Sequence, residues 1–141
     1  MEEFVNVVLD DGAFIPLRGH AEDAGLDLRT PKRVTLKAHS SVSIDTGTHV
    51  EIPYGYVGEL ESKSGLNVKH DIVSCGGTID SGFTSSITAK LFNFGDEDYT
   101  FEAGDKIVQL VIHPVWLPKV KIVDKLPDAE RGSGAFGSTG R

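Results

Sequence analysis

Residues 87–92 read Ile-Thr-Ala-Lys-Leu-Phe, and Asn-Phe-Gly-Asp follows directly at 93–96. Apolar and polar side chains alternate over 87–91, which is the period-2 pattern of a β-strand with one buried face. The Asn, Gly and Asp that come next are residues that favour tight turns. This stretch therefore predicts a strand over 87–92 that ends in a turn.

Similar short, β-rich stretches recur along the chain, and turn residues separate them. They cover 42–44, 49–52, 56–60 and 107–115, with turn signals at 10–12, 53–55 and 103–105. Strands of this length and spacing are typical of antiparallel sandwiches and barrels, so we expect an all-β fold. The one helical signal is 64–70, where we expect Ser64 to cap a short turn and Leu66 and Val68 to face the core.

The composition is that of a single folded domain. The chain has 141 residues, of which 39% are hydrophobic and 25% are charged, as in ordinary globular domains. Its 16 glycines make up about 11% of the chain against a usual share of about 7%, and this excess favours turn-rich β structure.

Charge and hydropathy exclude two classes of partner. The net charge is -7, and an acidic chain offers no broad basic surface that would release counterions from nucleic acid. The longest run without Asp, Glu, Lys or Arg, 107–118, is shorter than the ~18 apolar residues of a membrane-spanning helix. Cys75 is the single cysteine, and the first residues lack the pattern of a secretory signal. We therefore expect a cytoplasmic protein that binds neither nucleic acid nor a membrane.

The end of the chain differs in composition from the rest. From residue 128 onward the only apolar side chains are two alanines and one phenylalanine, too few to build a core. We expect residues 1–127 to form the β domain and 128–141 to form a glycine-rich arm.

The arm also carries a formal G-x-G-x-x-G match at 132–137. A dinucleotide-binding loop needs a βαβ unit around such a match, and this chain has none of that context. Composition leaves two interpretations open: a flexible tail, or an arm that closes over a phosphorylated ligand. Arg131 favours the second, since its guanidinium can bind phosphate in a bidentate manner, and so does the aromatic ring of Phe136.

Two carboxylates are candidates for chemistry. Asp27 lies in Ala-Gly-Leu-Asp-Leu (24–28) and Asp80 in Gly-Thr-Ile-Asp-Ser-Gly-Phe (77–83). Each is either a strand-edge residue or a base or metal partner held by a rigid hairpin. Ser-Lys-Ser-Gly-Leu at 62–66 is either a solvated turn or a phosphate contact. The five histidines lack H-x-H or H-E-x-x-H spacing, which argues against a histidine-ligated zinc.

In chain order, five segments resemble the five motifs of the trimeric dUTP pyrophosphatase (dUTPase) family. They are 24–28, 62–66, 77–83, Gly-Asp-Lys-Ile-Val-Gln-Leu at 104–110, and Arg-Gly-Ser-Gly-Ala-Phe-Gly-Ser-Thr-Gly at 131–140. This order is highly specific. The resemblance implies a distorted antiparallel β-barrel, or jelly roll, assembled as a homotrimer whose three active sites are each built from all three subunits.

The same resemblance implies an activity and two carboxylate roles. A dUTP diphosphatase hydrolyses dUTP to dUMP and pyrophosphate by attack of water on the α-phosphorus, assisted by Mg2+. Asp80 is implied as the catalytic residue that orients this water, and Asp27 as the residue that helps position magnesium through its water molecules. Such an enzyme limits uracil incorporation into DNA and supplies dUMP for dTMP synthesis.

The remaining residues carried over from the family bind substrate. The hairpin 76–87 is implied to accept deoxyuridine through backbone groups, with Phe83 against the deoxyribose and Phe136 over the uracil. The implied substrate-binding set is Lys63, Ser64, Gly65, Gly77, Thr78, Ile79, Phe83, Gln109, Arg131, Phe136, Gly137 and Ser138. Lys63 and Lys106 stand where arginine is common in the family, and lysine lacks the bidentate fork of a guanidinium.

Two other functions remain open at the level of sequence. The related dCTP deaminase family has the same fold and a similar third motif, but carries a catalytic glutamate in the following strand, where this chain has Lys90. A lysine cannot act there as the carboxylate base. The second alternative is a non-catalytic trimer that binds nucleotide and signals through a protein partner.

Overall fold

A computed structural model describes residues 3–140 of the chain. Within that range there are eleven strands and one short helix. In chain order they are β1 (Asn6–Leu9), β2 (Gly25–Arg29), β3 (Val34–Leu36), β4 (Ser40–Asp45), β5 (Thr48–Glu51), β6 (Tyr56–Glu61), α1 (Ser64–His70), β7 (Ile72–Ser74), β8 (Thr78–Ile79), β9 (Thr88–Asn93), β10 (Tyr99–Phe101) and β11 (Lys106–Pro114). The all-β fold class predicted from the sequence is confirmed.

The strands pair in four antiparallel sheets. The largest has the order β2-β11-β6-β8, the next β4-β9-β7, and the two small sheets are β1-β5 and β3-β10. Most partners are distant in the sequence, as in a jelly roll. Within residues 3–140 the sheets do not close into a single barrel, which agrees with the distorted form that we expected.

The core lies between these sheets and follows the alternation read from the sequence. In β9, Ala89 and Leu91 are fully buried while Thr88 and Lys90 are exposed. Each fully buried Val, Leu, Ile or Phe side chain stabilises the fold by roughly 1.5–3 kcal/mol. The core comprises Leu26, Leu28, Leu36, Ile44, Val50, Ile52, Leu60, Ile72, Ile79, Ile87, Ala89, Leu91, Phe101, Ile107, Val108 and Leu110.

The five strands predicted from apolar patterning are present as β4, β5, β6, β9 and β11. The pattern did not indicate β1, β2, β3, β7, β8 and β10, which have between two and five residues each. A strand of two or three residues is too short to show a period of its own. Such a strand forms because its neighbours in the sheet hold it in place.

The helix spans the predicted range, but two details of that prediction are wrong. Lys63, not Ser64, is the N-cap residue, and no side chain caps the helix. Val68 is 82% exposed, whereas Leu66 packs against the core. Residues two apart on an α-helix point to nearly opposite sides, so Leu66 and Val68 cannot both face the core.

The described chain beyond Pro114 contains neither strand nor helix. Regular structure thus ends well before residue 128, and the boundary between β domain and arm at 127/128 stays a prediction. The one helix of residues 3–140 is too short and too polar to span a membrane.

Candidate active site

The largest sheet brings four of the five motif segments side by side. Segment 24–28 enters β2, 104–110 enters β11, 62–66 follows β6, and 77–83 begins with β8. These strands are neighbours in the order β2-β11-β6-β8. The antiparallel register places Gln109 opposite both Asp27 and Glu61, so the first and fourth segments meet at the center of the sheet, beside the residue that precedes the second segment.

Asp27 is a buried carboxylate at the center of a charge cluster with two partly exposed lysines. Asp27 is 4% exposed, and its backbone N–H donates to the Leu17 carbonyl at 2.8 Å. Lys63 Nζ lies 2.5 Å from Asp27 Oδ1, and Lys106 Nζ lies 3.2 Å from Oδ2. A buried carboxylate needs such partners, because an unpaired charge is costly to desolvate. The two ammonium groups sit side by side on this carboxylate, and the charge of Lys63 also acts on Asp23.

Gln109 and Ser62 link the fourth segment to the second. Gln109 Nε2 donates to the Ser62 carbonyl at 3.0 Å, and Ser62 Oγ accepts a hydrogen bond from the Ser74 N–H at 2.8 Å. Gly25 makes room for this arrangement, since a Cβ there would lie 2.9 Å from Gln109 Cβ and closer still to its amide oxygen. The packing of Gln109, in the fourth segment, therefore requires a glycine at position 25, in the first segment.

Ser64 and Gly65 begin α1 directly beside this cluster. Lys63 precedes them in an extended conformation, and both residues are exposed. No atom lies within 4 Å of a Cβ built on Gly65, and the first turn of α1 contains no acidic residue. A ligand phosphate therefore has free access to Ser64 and Gly65.

β8 carries the next predicted residues along the edge of β6. The Gly77 carbonyl accepts a hydrogen bond from Leu60 N–H at 2.9 Å, and Gly77 has a φ of +143° that a residue with a side chain rarely adopts. Thr78 is exposed and pairs with Glu59. Ile79 is 6% exposed and belongs to the core, so only its backbone is able to meet a ligand.

Residues 80–87, which we call the 80–87 loop, connect β8 to β9. Asp80 and Phe83 are exposed, and the Phe83 N–H donates to the Asp80 carbonyl at 3.0 Å, which closes a turn. Both side chains predicted to act on the substrate are therefore on one accessible turn.

The far end of the 80–87 loop is fixed to the turn between β4 and β5. Ile87 N–H donates to the Thr48 carbonyl at 2.9 Å, and Thr46 Oγ1 donates to the Ile87 carbonyl at 2.7 Å. Ser86 Oγ donates to Asp45 Oδ1. This hydroxyl, together with the Gly47 N–H, lowers the pKa of Asp45.

His49 makes a further contact to the loop that sequence reasoning missed. Its Nδ1 lies 2.8 Å from the Thr84 carbonyl, and its Nε2 lies 3.0 Å from Asp10 Oδ1. These residues are 35 and 39 positions from His49 in the chain, so no local spacing could have revealed the contact.

Within one chain, Asp80 is not brought to the Asp27 cluster. The β6–β8 register pairs Gly58 with Ile79, so Asp80 is level with the residue before Gly58. Asp27 is level with Glu61 at the other end of β6. The positions on β6 beside Asp80 and beside Asp27 are four residues apart, which is about 13 Å along the strand.

The predicted residues of the arm make no hydrogen bond to the cluster in the described part of the chain. Phe136 is fully exposed, and Arg131 Nε donates to Ser138 Oγ at 2.7 Å. The Gly137 carbonyl accepts from the Gly140 N–H at 3.0 Å. In residues 3–140, the hydrogen bonds of the arm join arm residues only.

Comparison with known proteins adds the decisive observation. Residues 11–140 match the family model described as dUTPase. The chain belongs to the dUTPase family. This membership covers all five segments and confirms the resemblance seen in the motifs.

Named relatives and solved structures agree with that assignment. The deoxyuridine 5'-triphosphate nucleotidohydrolase of Clostridium acetobutylicum is 41% identical over 94% of this chain and 92% of that protein. The protein of that name from Paramecium bursaria Chlorella virus 1 is 36% identical over 94% of each. The dUTPase of Staphylococcus bacteriophage 80alpha, solved with dUPNHPP, has a TM-score of 0.92 and 31% identity over 99% of this chain and 100% of that chain.

Proposed function

We propose that this protein is a dUTP diphosphatase that hydrolyses dUTP to dUMP and pyrophosphate. The observation that carries the proposal is the strand order β2-β11-β6-β8, which brings four family motifs together around the two lysines on Asp27. Phage relatives solved with dUPNHPP support the choice of nucleotide.

The Asp27 cluster, with its two lysine ammonium groups, is the proposed phosphate site. Lys63 offers its ammonium group, which is held near Asp27 and is 27% exposed. Ser64 and Gly65 offer a hydroxyl and an open backbone next to it, and Gln109 sits one strand away. Arg131, with Gly137 and Ser138, would complete the contacts when the arm closes, because a guanidinium forms charge-assisted bonds to phosphate oxygens.

The edge of β8 and the 80–87 loop are the proposed nucleoside site. Backbone groups of Gly77, Thr78 and Ile79 would pair with the uracil edge, and the Phe83 ring would pack on the deoxyribose. Phe136 would cover the base from the arm. Phe83 is 38% exposed and Phe136 is fully exposed. Each ring would therefore gain burial from contact with the ligand.

Asp80 is the proposed catalytic residue. Its carboxylate would accept a proton from a water molecule as the water oxygen bonds to the α-phosphorus. The bond between the α-phosphorus and the oxygen bridging to the β-phosphate breaks, and pyrophosphate leaves. Asp80 is exposed on a turn closed by the Phe83 N–H, which leaves its carboxylate free for this task.

Magnesium fits this site as an ion that arrives with the triphosphate. Both oxygens of Asp27 already contact lysines, and no group of three His, Cys, Asp or Glu within residues 3–140 could hold a metal. Mg2+ commonly keeps several waters and binds through few carboxylates plus substrate phosphates. Asp27 would therefore meet it through water, and the bound ion would offset phosphate charge. A dUTPase variant from phage phi11 of S. aureus, at a TM-score of 0.81 and 31% identity over 87% of this chain and 98% of that chain, is described with a structural Mg(II) ion.

We also propose a homotrimer with shared active sites. Asp80 and the Asp27 cluster are held apart within one chain, and the hydrogen bonds of the described arm reach neither, so a partner subunit would have to complete each site. Large apolar side chains between the last strand and the arm support such an assembly, since exposed apolar surface of this kind marks interfaces. They are Trp116, Leu117, Val120, Ile122, Val123 and Leu126.

The proposed biological role follows from the reaction. Removal of dUTP limits uracil incorporation into DNA, and the dUMP formed is the precursor for dTMP synthesis. A cytoplasmic location matches a substrate drawn from the nucleotide pool.

The direct test is pyrophosphate release from dUTP with magnesium, measured beside dCTP, dTTP and UTP. We expect dUTP to have the highest kcat/KM, since a specificity difference must appear in that ratio. Comparable kcat/KM values for dUTP, dTTP and UTP would contradict the roles of β8 and Phe83. Ammonia release from dCTP would instead indicate the deaminase, and nucleotide binding without hydrolysis would indicate the signalling trimer.

A further inference from the structure

His49 joins the 80–87 loop to the end of β1. It lies on β5, and its side chain is 27% exposed. Nδ1 lies 2.8 Å from the carbonyl oxygen of Thr84, the residue after Phe83. Nε2 lies 3.0 Å from Oδ1 of Asp10, the residue after β1. One imidazole thus spans two segments that no strand pairing connects.

The Thr84 carbonyl and the ionised Asp10 carboxylate are both acceptors, and this favours the protonated ring. A neutral imidazole has one N–H and one lone pair, so one ring nitrogen would face an oxygen lone pair with a lone pair of its own. Only the imidazolium, which donates from both nitrogens, satisfies the Thr84 carbonyl and the Asp10 carboxylate together.

The charged groups around His49 favour the same state. Asp10 follows β1, Asp45 ends β4, and Glu51 is two residues along β5 on the same face. The carbonyl of Thr84 is the main cause that raises the pKa of His49; partial desolvation opposes it, and Asp10 and Asp45 raise it further. Lys32 is a cation that acts on Asp45.

We propose that His49 is a positioning residue for nucleotide binding, and that its protonated ring holds the 80–87 loop in the conformation that presents Phe83. Loss of the proton leaves one ring N–H for two acceptors, so the ring no longer ties the Thr84 carbonyl of the loop to Asp10. This inference rests on the proposed function, because it takes the 80–87 loop as the nucleoside site.

The expected signature is a rise in the KM for dUTP as pH increases through the pKa of His49. Loss of one charge-assisted hydrogen bond at a partly exposed site should raise KM by about three- to tenfold. Because His49 touches no reacting atom, kcat should change less than KM.

Linkage makes the effect measurable without catalysis. If the protonated form binds nucleotide more tightly, nucleotide must raise the pKa of His49 by the same factor. A three- to tenfold difference corresponds to a rise of about 0.5–1 pH unit in the NMR titration midpoint of His49. The probe for this titration is dUpNHpp (written dUPNHPP above), a non-hydrolysable analogue of dUTP.

The variants are His49→Gln, Asp10→Asn and the control His39→Asn. Glutamine does not titrate, so His49→Gln should flatten the difference in KM across pH. The amide introduced by Asp10→Asn keeps an acceptor but removes the negative charge, so this variant should lower the His49 midpoint. His39 pairs with Asp96 at 2.8 Å away from the loop and has a φ of 55° that asparagine tolerates, so the control should keep the wild-type profile.

The outcomes separate this inference from the proposed function. If the wild-type protein neither binds dUpNHpp nor hydrolyses dUTP, the proposed function fails and the role of His49 falls with it. If it binds and hydrolyses normally, but dUpNHpp leaves the His49 midpoint unmoved or His49→Gln keeps the wild-type KM profile, only the role of His49 is overturned. The NMR titration uses the wild-type protein, so it decides the matter even where a variant folds poorly.

Discussion

Lys63 Nζ lies 2.5 Å from Asp27 Oδ1, an ion pair between residues 36 positions apart in the chain. The aspartate side chain is 5% exposed and the lysine side chain 27%. Lys106 contacts the second carboxylate oxygen at 3.2 Å. The first, second and fourth motif segments therefore share one charge network, and both lysines that replace the family's usual arginines belong to it.

Lys63→Met should destabilise the fold by about 1–3 kcal/mol, because buried Asp27 loses its shorter contact and keeps only Lys106. Lys63→Arg keeps the charge and should cost about 0.5 kcal/mol or less. Urea denaturation at fixed subunit concentration measures both. A double-mutant cycle with Asp27→Asn should give a coupling of about 1 kcal/mol, and a coupling near zero would contradict the ion pair.

Gly25→Ala should destabilise the protein by about 1–3 kcal/mol, since the new Cβ overlaps the Gln109 side chain and displaces its amide from the Ser62 carbonyl. Gly65→Ala is the matched control, because nothing lies near its Cβ position and alanine favours a helix. Thermal denaturation should show a lower Tm for the first variant and no loss for the second. Equal Tm values would remove the packing role of Gly25.

Ser86→Ala should lower stability at neutral pH and lose this effect in acid. The Ser86 hydroxyl and the Gly47 N–H depress the pKa of Asp45 in the folded protein. The ionised carboxylate thus contributes stability above its unfolded pKa of about 3.9, and this is lost as pH falls through the lower folded pKa. The Tm difference between wild type and Ser86→Ala should therefore close below about pH 4. A difference that stays constant with pH would refute the assignment.

Asp80→Asn should lower kcat by about 10²–10⁴ while dUpNHpp binds with near wild-type affinity. The amide keeps the shape of the side chain but cannot accept a proton from the attacking water. Calorimetric titration with dUpNHpp and pyrophosphate release from dUTP check the two halves of this statement. Turnover close to wild type would exclude Asp80 as the catalytic residue.

The sequence predicted what depends on local pattern and motif order. Alternation in 87–92 indicated β9, and the five ordered segments indicated the family. The contacts of Lys106 with Asp27 and of Gln109 with Ser62 depend on which strands pair and in what register. Strand pairing and register cannot be read from the local sequence. The sequence alone therefore marks Lys106 only as a departure from the family pattern.

Other details failed for identifiable physical reasons. Ser64 was expected to cap α1, but the chain enters the helix one residue earlier, at Lys63. The outward position of Val68 follows from helix geometry once Leu66 is fixed on the core. His49 carried no signal, because its partners Thr84 and Asp10 meet it only in the folded chain.

The central claim is that subunits share each active site, and complementation tests it most directly. Asp80→Asn subunits keep an intact arm, and subunits without residues 129–141 keep Asp80, so each protein alone should be nearly inactive. If Asp80 and the arm come from different subunits, mixing equal amounts should restore activity in about a quarter of the sites of random trimers. Activity that stays at the level of the separate proteins, with mixed trimers demonstrated by mass, would show that the arm serves its own subunit.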